Sequence, residues 1–452
     1  MTSGNIKEIC LQIIRNRYLI RKEFVMLEYC AIITLLLLSG SIWGWHSPFV
    51  ALIHFVSIIF LLFRKEFFQK KNNLSKRNTM ICLLIISIYV LNIIIISKDN
   101  PLSSWNVFLV IVGAFLIANL IDKNDFIDKY VKVVTALAAF SLLFWLLSRN
   151  GIVIDDRIIE PGNGEIYRMN LFYIYRDSVG VIESGLNKRN FGIFWEGGAY
   201  QAFLNLAILF MVKFKRNLFE LDKFYWFKLL VLATTVLTTF STTGYVLLVI
   251  NMVIYMLENS QKGSRKRYAI AGILMIIGII IINSPAVVNK FNSSSDSYIS
   301  YLIRVNDQLN GIKAMFVAPL WGLGFNSKRY SDVLLSYGIY ANSSGLLIVA
   351  QQFGIIYAIW YTVIQIMYFN RFCEMNRWIT KILGTIFLIF IFSTESLNQN
   401  GIFLLFLYSF KTESKTINRI KIKIPKIKIK ISTPHNVYIP KCQVCYKRKI
   451  GY

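Results

Sequence analysis

Charge is what this sequence has least of: Asp, Glu, Lys and Arg make up 16% of 452 residues, against 55% hydrophobic residues and a mean hydropathy of +0.52. The apolar stretches recur along nearly the whole length. That excludes a soluble enzyme carrying a single anchor and points to a polytopic membrane protein. Histidine is also scarce, with His46, His54 and His435 the only three. His46 near an outer helix end and His54 inside an apolar run suit packing or interface roles, and the 285–342 segment has no histidine, so no metal site is expected there. None of the six cysteines lies in an outer loop, which excludes a disulfide framework. Cys442 and Cys445 form one CxxC without a second pair, too little to define a zinc site. Carboxylates are few as well, 24 Asp and Glu against 50 Lys and Arg, giving a net charge of +26. In a soluble chain that excess would suggest nucleic acid; here the positions of the cations report topology, and no nucleic-acid partner is expected.

What the sequence has is apolar runs at 24–44, 48–63, 79–97, 103–121, 131–148, 191–212, 226–241, 243–257, 268–284, 343–368, 378–393 and 400–410. The expected fold is therefore an all-α polytopic integral membrane protein with about twelve transmembrane helices. The first run follows a basic segment and precedes many others, so no cleavable signal is apparent. Ile6, Ile9, Cys10, Ile13 and Ile14 recur at helical spacing beside Arg15, Arg17, Arg21 and Lys22. Residues 1–23 are thus expected as a cytoplasmic amphipathic segment on an anionic surface, with a frayed basic tail as the alternative.

With the N-terminus inside, the even-numbered connections hold Arg64, Lys65, Lys76 and Arg77, then Lys123 and Lys129, then Lys213, Lys215 and Arg216, then Arg265, Lys266 and Arg267, then Arg371 and Arg377. The short odd-numbered connections hold only Lys98. This is the positive-inside asymmetry repeated over independent loops. The Lys/Ile-rich tail 411–452 is then cytoplasmic and suited to anionic lipid. Two long connections, 149–190 and 285–342, fall outside, within a transmembrane catalytic domain spanning 24–410. Both carry cations, among them Arg157, Arg176, Lys188 and Arg189 in the first and Arg304, Lys313 and Arg329 in the second. An anionic ligand on the outer face is expected.

The centre of the chain is RNFGIFWEGGAYQ, Arg189 to Gln201, where a polar loop turns into a long apolar helix. A carboxylate near the end of a membrane helix costs free energy to keep, so Glu196 is a candidate functional group; the plainer alternative is a helix anchor paired with Arg189. Arginine holds a fixed donor fork suited to diphosphate, and a carboxylate can take the proton of an attacking hydroxyl. In the second loop, Arg304, Asp307 and Gly311 are spaced to share one side of a helix that Pro319, Gly322 and Gly324 would end in a tight turn. The alternative is an amphipathic helix lying on the membrane, with Arg304 solvated and Met315, Phe316 and Trp321 buried.

These stretches resemble one family. GIFWEGGAYQAFLNLA, Gly192 to Ala207, resembles the segment after the first large periplasmic loop of the O-antigen polymerase (Wzy) family. STTGY, Ser241 to Tyr245, is similar to that family's Ser/Thr-Gly turn. Arg304, then APLWGLGFNS, Ala318 to Ser327, then SSGLLIVAQQFGIIYAIWY resemble the arginine, turn and Gly-containing helix of its second loop. The resemblance covers roughly residues 190–360 and departs at Gly197, where the family often has proline. It implies a GT-C-type membrane glycosyltransferase with periplasmic loops 149–190 and 285–342, in a bacterial inner membrane with both termini cytoplasmic. The implied reaction moves a growing glycan from undecaprenyl diphosphate to the terminal sugar of a new lipid-linked repeat unit. By the same resemblance Glu196 and Arg304 are catalytic, Arg176, Arg189 and Arg304 bind substrate, no metal or cofactor is needed, and membrane lipids and a chain-length regulator (co-polymerase) are partners.

Two other activities compete. O-antigen ligases resemble this family closely but carry a functional histidine in the second large loop, which 285–342 lacks. A lipid-linked oligosaccharide flippase or transporter would place ionisable groups near mid-membrane; here the spans offer Asn92, Asn119, Asn205, Asn251, Gln351 and Gln352 but almost no charge.

Overall fold

The computed structural model describes residues 25–45, 48–68, 74–98, 104–155, 157–159, 166–176, 189–259, 288, 296–339 and 342–411. Among them the chain is mostly helical, with 72% helix and 15 helices. The expectations for 1–23, for the apolar run 268–284 and for the tail after 411 fall outside the described residues. Contacts divide the chain into Met1–Thr412 and Glu413–Tyr452, and every described element belongs to the first.

The helices are α1 (Val25–Leu37), α2 (Ile42–Trp45), α3 (Pro48–Phe68), α4 (Lys76–Leu91, continued by a π-helical turn Asn92–Ser97), α5 (Trp105–Leu120) and α6 (Lys123–Arg149). After a small sheet come α7 (Gly197–Lys213), α8 (Tyr225–Thr238), α9 (Thr242–Asn259), α10 (Asp296–Met315), α11 (Lys328–Ser336), α12 (Gly345–Phe353), α13 (Ile355–Phe372), α14 (Trp378–Thr394) and α15 (Gly401–Leu404). Lys76–Ser97 and Lys123–Arg149 are long and apolar enough to cross a membrane. Helix starts follow local chemistry. Asp122 accepts from Asn124 N at 2.8 Å to cap α6, whose first turn holds Asp125 and whose last holds Arg149, as the helix dipole favours.

Helix α7 is the axis: every residue from Ala199 to Val212 is buried, which is why its apolar residues run all the way round. It packs against α6, α8 and α9. Side-chain contacts define two ends of the bundle. At one, Lys129 pairs with Glu28 at 2.8 Å, Lys213 with Glu258 at 2.6 Å, Lys123 with Glu374, and Arg377 donates to Leu257 O at 2.8 Å. These are cations of the connections assigned to one side from charge alone. The opposite end carries Ser41, Arg189, Glu196 and the α8–α9 turn.

Three expectations need correction. The run 343–368 is two helices, not one: Gly354, at φ 92°, separates α12 from α13. The break leaves backbone groups without helical partners, and the Pro319–Gly324 turn supplies them. Leu323 N donates to Gln351 O at 2.7 Å, Gly324 N to Gln352 O at 3.2 Å, and Ile355 N to Pro319 O at 2.8 Å. The run 400–410 is helical only over Gly401–Leu404 and a 3-10 turn Leu405–Leu407, yet it is buried from Gly401 to Tyr408. It passes from Ser39, whose hydroxyl accepts from Ile402 N at 2.8 Å, to Lys411 beside Asp122 at the other end of the bundle. Its irregular backbone is satisfied by neighbours: Gln365 Nε2 donates to Asn398 O at 2.7 Å, Tyr361 OH to Asn398 O at 3.0 Å, and Asn78 Nδ2 to Ser409 O at 2.8 Å. Finally, the chain is not all-α. Residues Arg157–Ile159 (β1), Tyr167–Asn170 (β2) and Tyr173–Arg176 (β3) form an antiparallel sheet in the order β1-β2-β3. Tyr- and Ile-rich alternation with a two-residue turn, Leu171 at φ 53°, explains the hairpin.

Candidate active site

The segment 189–196 reaches α7 clamped on three sides. Ile174 N of β3 donates to Gly192 O at 2.8 Å, Ile42 N to Ile193 O at 3.1 Å, and Asn190 N to Thr238 O at 2.9 Å. Gly192 at φ 57° makes the turn, and a Cβ there would sit 2.6 Å from the Tyr200 ring. Glu196 ends the segment in extended conformation (φ −156°, ψ 161°) and is the N-cap residue of α7, but its side chain does not cap the helix. The carboxylate instead meets Arg304: Nη2 lies 3.4 Å from Glu196 Oε2. Two glycines follow because other parts of the molecule press close. A Cβ on Gly197 would lie 2.8 Å from Thr239 O, and one on Gly198 would lie 1.9 Å from Glu395 Oε1.

Helix α10 brings Arg304 to this point. Gln351 Nε2 donates to Gly311 O at 2.8 Å, fixing α10 against α12, and the docked Pro319–Gly324 turn holds its far end. The expected face is seen: Asp307 is buried, Gly311 packs on Leu347 and Gln351, and Arg304 lies between them and Glu196. Of the alternative, a helix lying on a membrane with Arg304 solvated and Met315, Phe316 and Trp321 buried in it, the structure changes only the arginine. Phe316 is 63% and Trp321 76% exposed, while Arg304 is ion-paired.

The structure therefore brings Arg189, Glu196 and Arg304 together. Burial, then the nearby Arg304 charge, pushes the Arg189 guanidinium below its ordinary pKa, with Glu196 opposing. For Arg304, burial works against the cation, but Glu196, Glu395 and Asp307 outweigh it and hold its pKa above the usual value. Among the described residues no carboxylate lies within ion-pair distance of Arg189, and Glu196 is the acid that acts on it. Arg176 closes β3, in register with Tyr167; its side chain lies outside the described residues.

Glu395 was missed by the sequence reading. It follows the last residue of α14, is 1% exposed, and its Oε1 lies 3.8 Å from Arg304 Nη1. It sits beside the Glu196 carboxyl, and burial first, then Glu196, pushes its pKa well above the ordinary carboxylate range. The only available signal was an acid in the polar run STESLNQ at the end of an apolar helix. Topology was read from cations alone, so that acid passed unused. Asp307, raised by burial and opposed by Arg304, borders the same site.

The candidate polar residues of the helices serve structure. Asn92 accepts from Phe325 N at 2.6 Å and donates to Gln352 O at 3.0 Å; Asn205 donates to Gly244 O at 3.1 Å and Asn251 Nδ2 to Asn205 O at 3.0 Å. His54 is fully buried against Thr34, at 2.8 Å, a packing role as expected. A mostly apolar cavity between α7, α8 and α9, lined by Ile208, Trp226, Leu230 and Met252 with Asn251 and Tyr255, lies toward the other end of α7 and offers no charged group for chemistry. Among the described residues no cluster of His, Cys, Asp or Glu could hold a metal. Comparison with protein-family models, with curated proteins and with solved structures finds no match to this chain.

Proposed function

We propose that the protein is a polytopic, GT-C-type membrane glycosyltransferase, an O-antigen polymerase of a bacterial inner membrane. It transfers a growing glycan from undecaprenyl diphosphate to the terminal sugar of a new lipid-linked repeat unit. The observation that carries this reading is the convergence of Arg189, Glu196 and Arg304, from two separate loops, on one end of an apolar helix bundle. The exposed apolar flanks support a bilayer around that bundle: Phe49, Phe60 and Phe63 on α3, Met80 and Ile95 on α4, and Ile359 on α13 all face outward. So does the burial of the irregular stretch from Gly401 to Tyr408, since non-helical backbone at membrane depth needs protein around it.

In this reading the arginines hold the donor diphosphate. The acceptor hydroxyl oxygen forms a bond to the anomeric carbon as the bond from that carbon to the diphosphate oxygen breaks. The electron pair leaves on the diphosphate, where the guanidinium charges stabilise it, and the hydroxyl proton passes to Glu196. Arg176 is an additional contact to the glycan, and a co-polymerase sets chain length. The engagement of the helical Asn and Gln side chains in helix-to-helix bonds favours an enzyme over a transporter. The test is genetic: cells lacking the protein should cap lipid A with one repeat. Complete absence of O-antigen would point to a flippase or ligase instead. Arg189→Lys should remain defective, because a point charge does not reproduce the fork; full chains from that variant would remove the diphosphate role.

A further inference from the structure

We propose that Glu395 is the protonated partner of Glu196 in a carboxyl–carboxylate dyad, a positioning residue that holds Glu196 ionised and aimed at the acceptor. The inference rests on the glycosyl-transfer reading for its role in catalysis, but not for its existence.

The geometry comes first. Arg304 touches both carboxyl groups, at 3.4 Å to Glu196 and 3.8 Å to Glu395, so its fork brackets the pair. The Glu395 side chain is 1% exposed, whereas that of Glu196 is 30% exposed and open to a substrate. Among the described residues, no N–H or O–H donates to Glu395 Oε1. Oε1 packs on the backbone of Gly198, two residues after Glu196, and the Glu196 charge adds to burial in raising the Glu395 pKa. Two like charges gathered on one guanidinium cannot both ionise readily when one of them is enclosed. One proton is therefore shared, and burial decides where it resides: on the enclosed Glu395 rather than on the open Glu196.

The other charged groups around the pair agree with that placement. From α10, Arg304 favours ionisation of one member, with Asp307 acting on Arg304; from the 189–196 segment, Arg189 sits nearer Glu196. Gly198 completes the arrangement, since any side chain there would occupy the position of Glu395 Oε1. During transfer Glu196 would take the acceptor proton and become neutral. Glu395 would keep its own, and Glu196 would then release its proton to water.

The test does not need the substrate. Infrared difference spectra of the purified protein in lipid nanodiscs at pH 7, wild type against Glu395→Gln, should show a protonated-carboxyl carbonyl band that the substitution removes. No such band in the wild type, or a band unaffected by the substitution, would overturn the proposal. Glu196→Gln provides an independent check if Glu395→Gln folds poorly. Removing the neighbouring charge should let the Glu395 band titrate away at lower pH than in wild type, and an unchanged titration would show that the two groups are not coupled. In transfer assays, Glu395→Ala should lose at least about tenfold in rate, as expected for a misplaced base, and Glu395→Gln should recover most of that loss by donating from its amide. A dyad seen spectroscopically with no transfer activity would leave the dyad standing and remove the glycosyltransferase reading.

Discussion

Replacing Gly354 by alanine should release the turn that holds the Arg304 helix in place. The residue has φ 92° and ψ 160°, a region that alanine reaches only at a cost of about 1–3 kcal/mol. Its new Cβ would lie 2.1 Å from Leu320 O and 3.1 Å from Pro319 O, both backbone atoms with little freedom to move. Moving the turn away sacrifices the bonds from Leu323 N, Gly324 N and Ile355 N. At about 0.5–1.5 kcal/mol each, these add roughly 2–4 kcal/mol. The combined loss, about 3–7 kcal/mol, is local, so the expected result is undocking of 316–339 before global unfolding. Limited trypsin digestion should then cut at the exposed Lys328 and Arg329 much faster than in wild type, with a lower thermal midpoint in detergent. Wild-type cleavage kinetics and midpoint in Gly354→Ala would refute the argument that the helix break is built to receive this turn.

Other substitutions separate site from scaffold. Gly198→Ala should gain up to about 1 kcal/mol of helix propensity yet lose transfer activity, because its Cβ displaces Glu395; polymer length reports the loss and a thermal melt the retained stability. Asn78→Ala should cost about 2–4 kcal/mol, since Asn78 is fully buried and bonds to Asn119 Oδ1, Ser409 N, Ser409 O and Ser409 Oγ; urea or thermal unfolding measures it. Glu395 also makes a pH prediction. Its pKa is raised on folding, so its contribution is fully present below the ordinary Glu range and stability falls as pH rises from that range toward the raised folded value. Glu395→Gln should flatten that slope, which is at most about 1.4 kcal/mol per pH unit for one proton; an unchanged slope would contradict the raised pKa.

The mostly helical fold and the gathering of cations at one end were legible because apolar runs and cation placement are both local and repeated, although only two of the described helices are long and apolar enough to cross a membrane. Lys123, Lys129, Lys213 and Arg377 all gather at one end of the bundle. The 343–368 break was not legible. A glycine within an apolar run reads as tolerated, and only the partner turn 30 to 35 residues earlier in the chain explains why the helix stops there. The 400–410 segment read as a span because composition reports burial, not backbone conformation; its hydrogen bonds come from Gln365, Tyr361 and Asn78, residues distant in sequence. In the site, Arg189, Glu196 and Arg304 stood out as charge against an apolar background. Glu395 did not, since nothing local reveals that an acid after α14 will rest on Gly198.

In the proposed function, two guanidinium groups and a carboxylate, drawn from different loops, form one site for a lipid-linked diphosphate sugar. The direct measurement is polymerisation of purified undecaprenyl-diphosphate-linked repeat units by the purified protein in nanodiscs, wild type beside Arg304→Ala. A ladder of products from the wild type and none from a correctly folded Arg304→Ala is the predicted result. Ladders of equal length from both, or none from the active-folded wild type with any repeat unit, would contradict it.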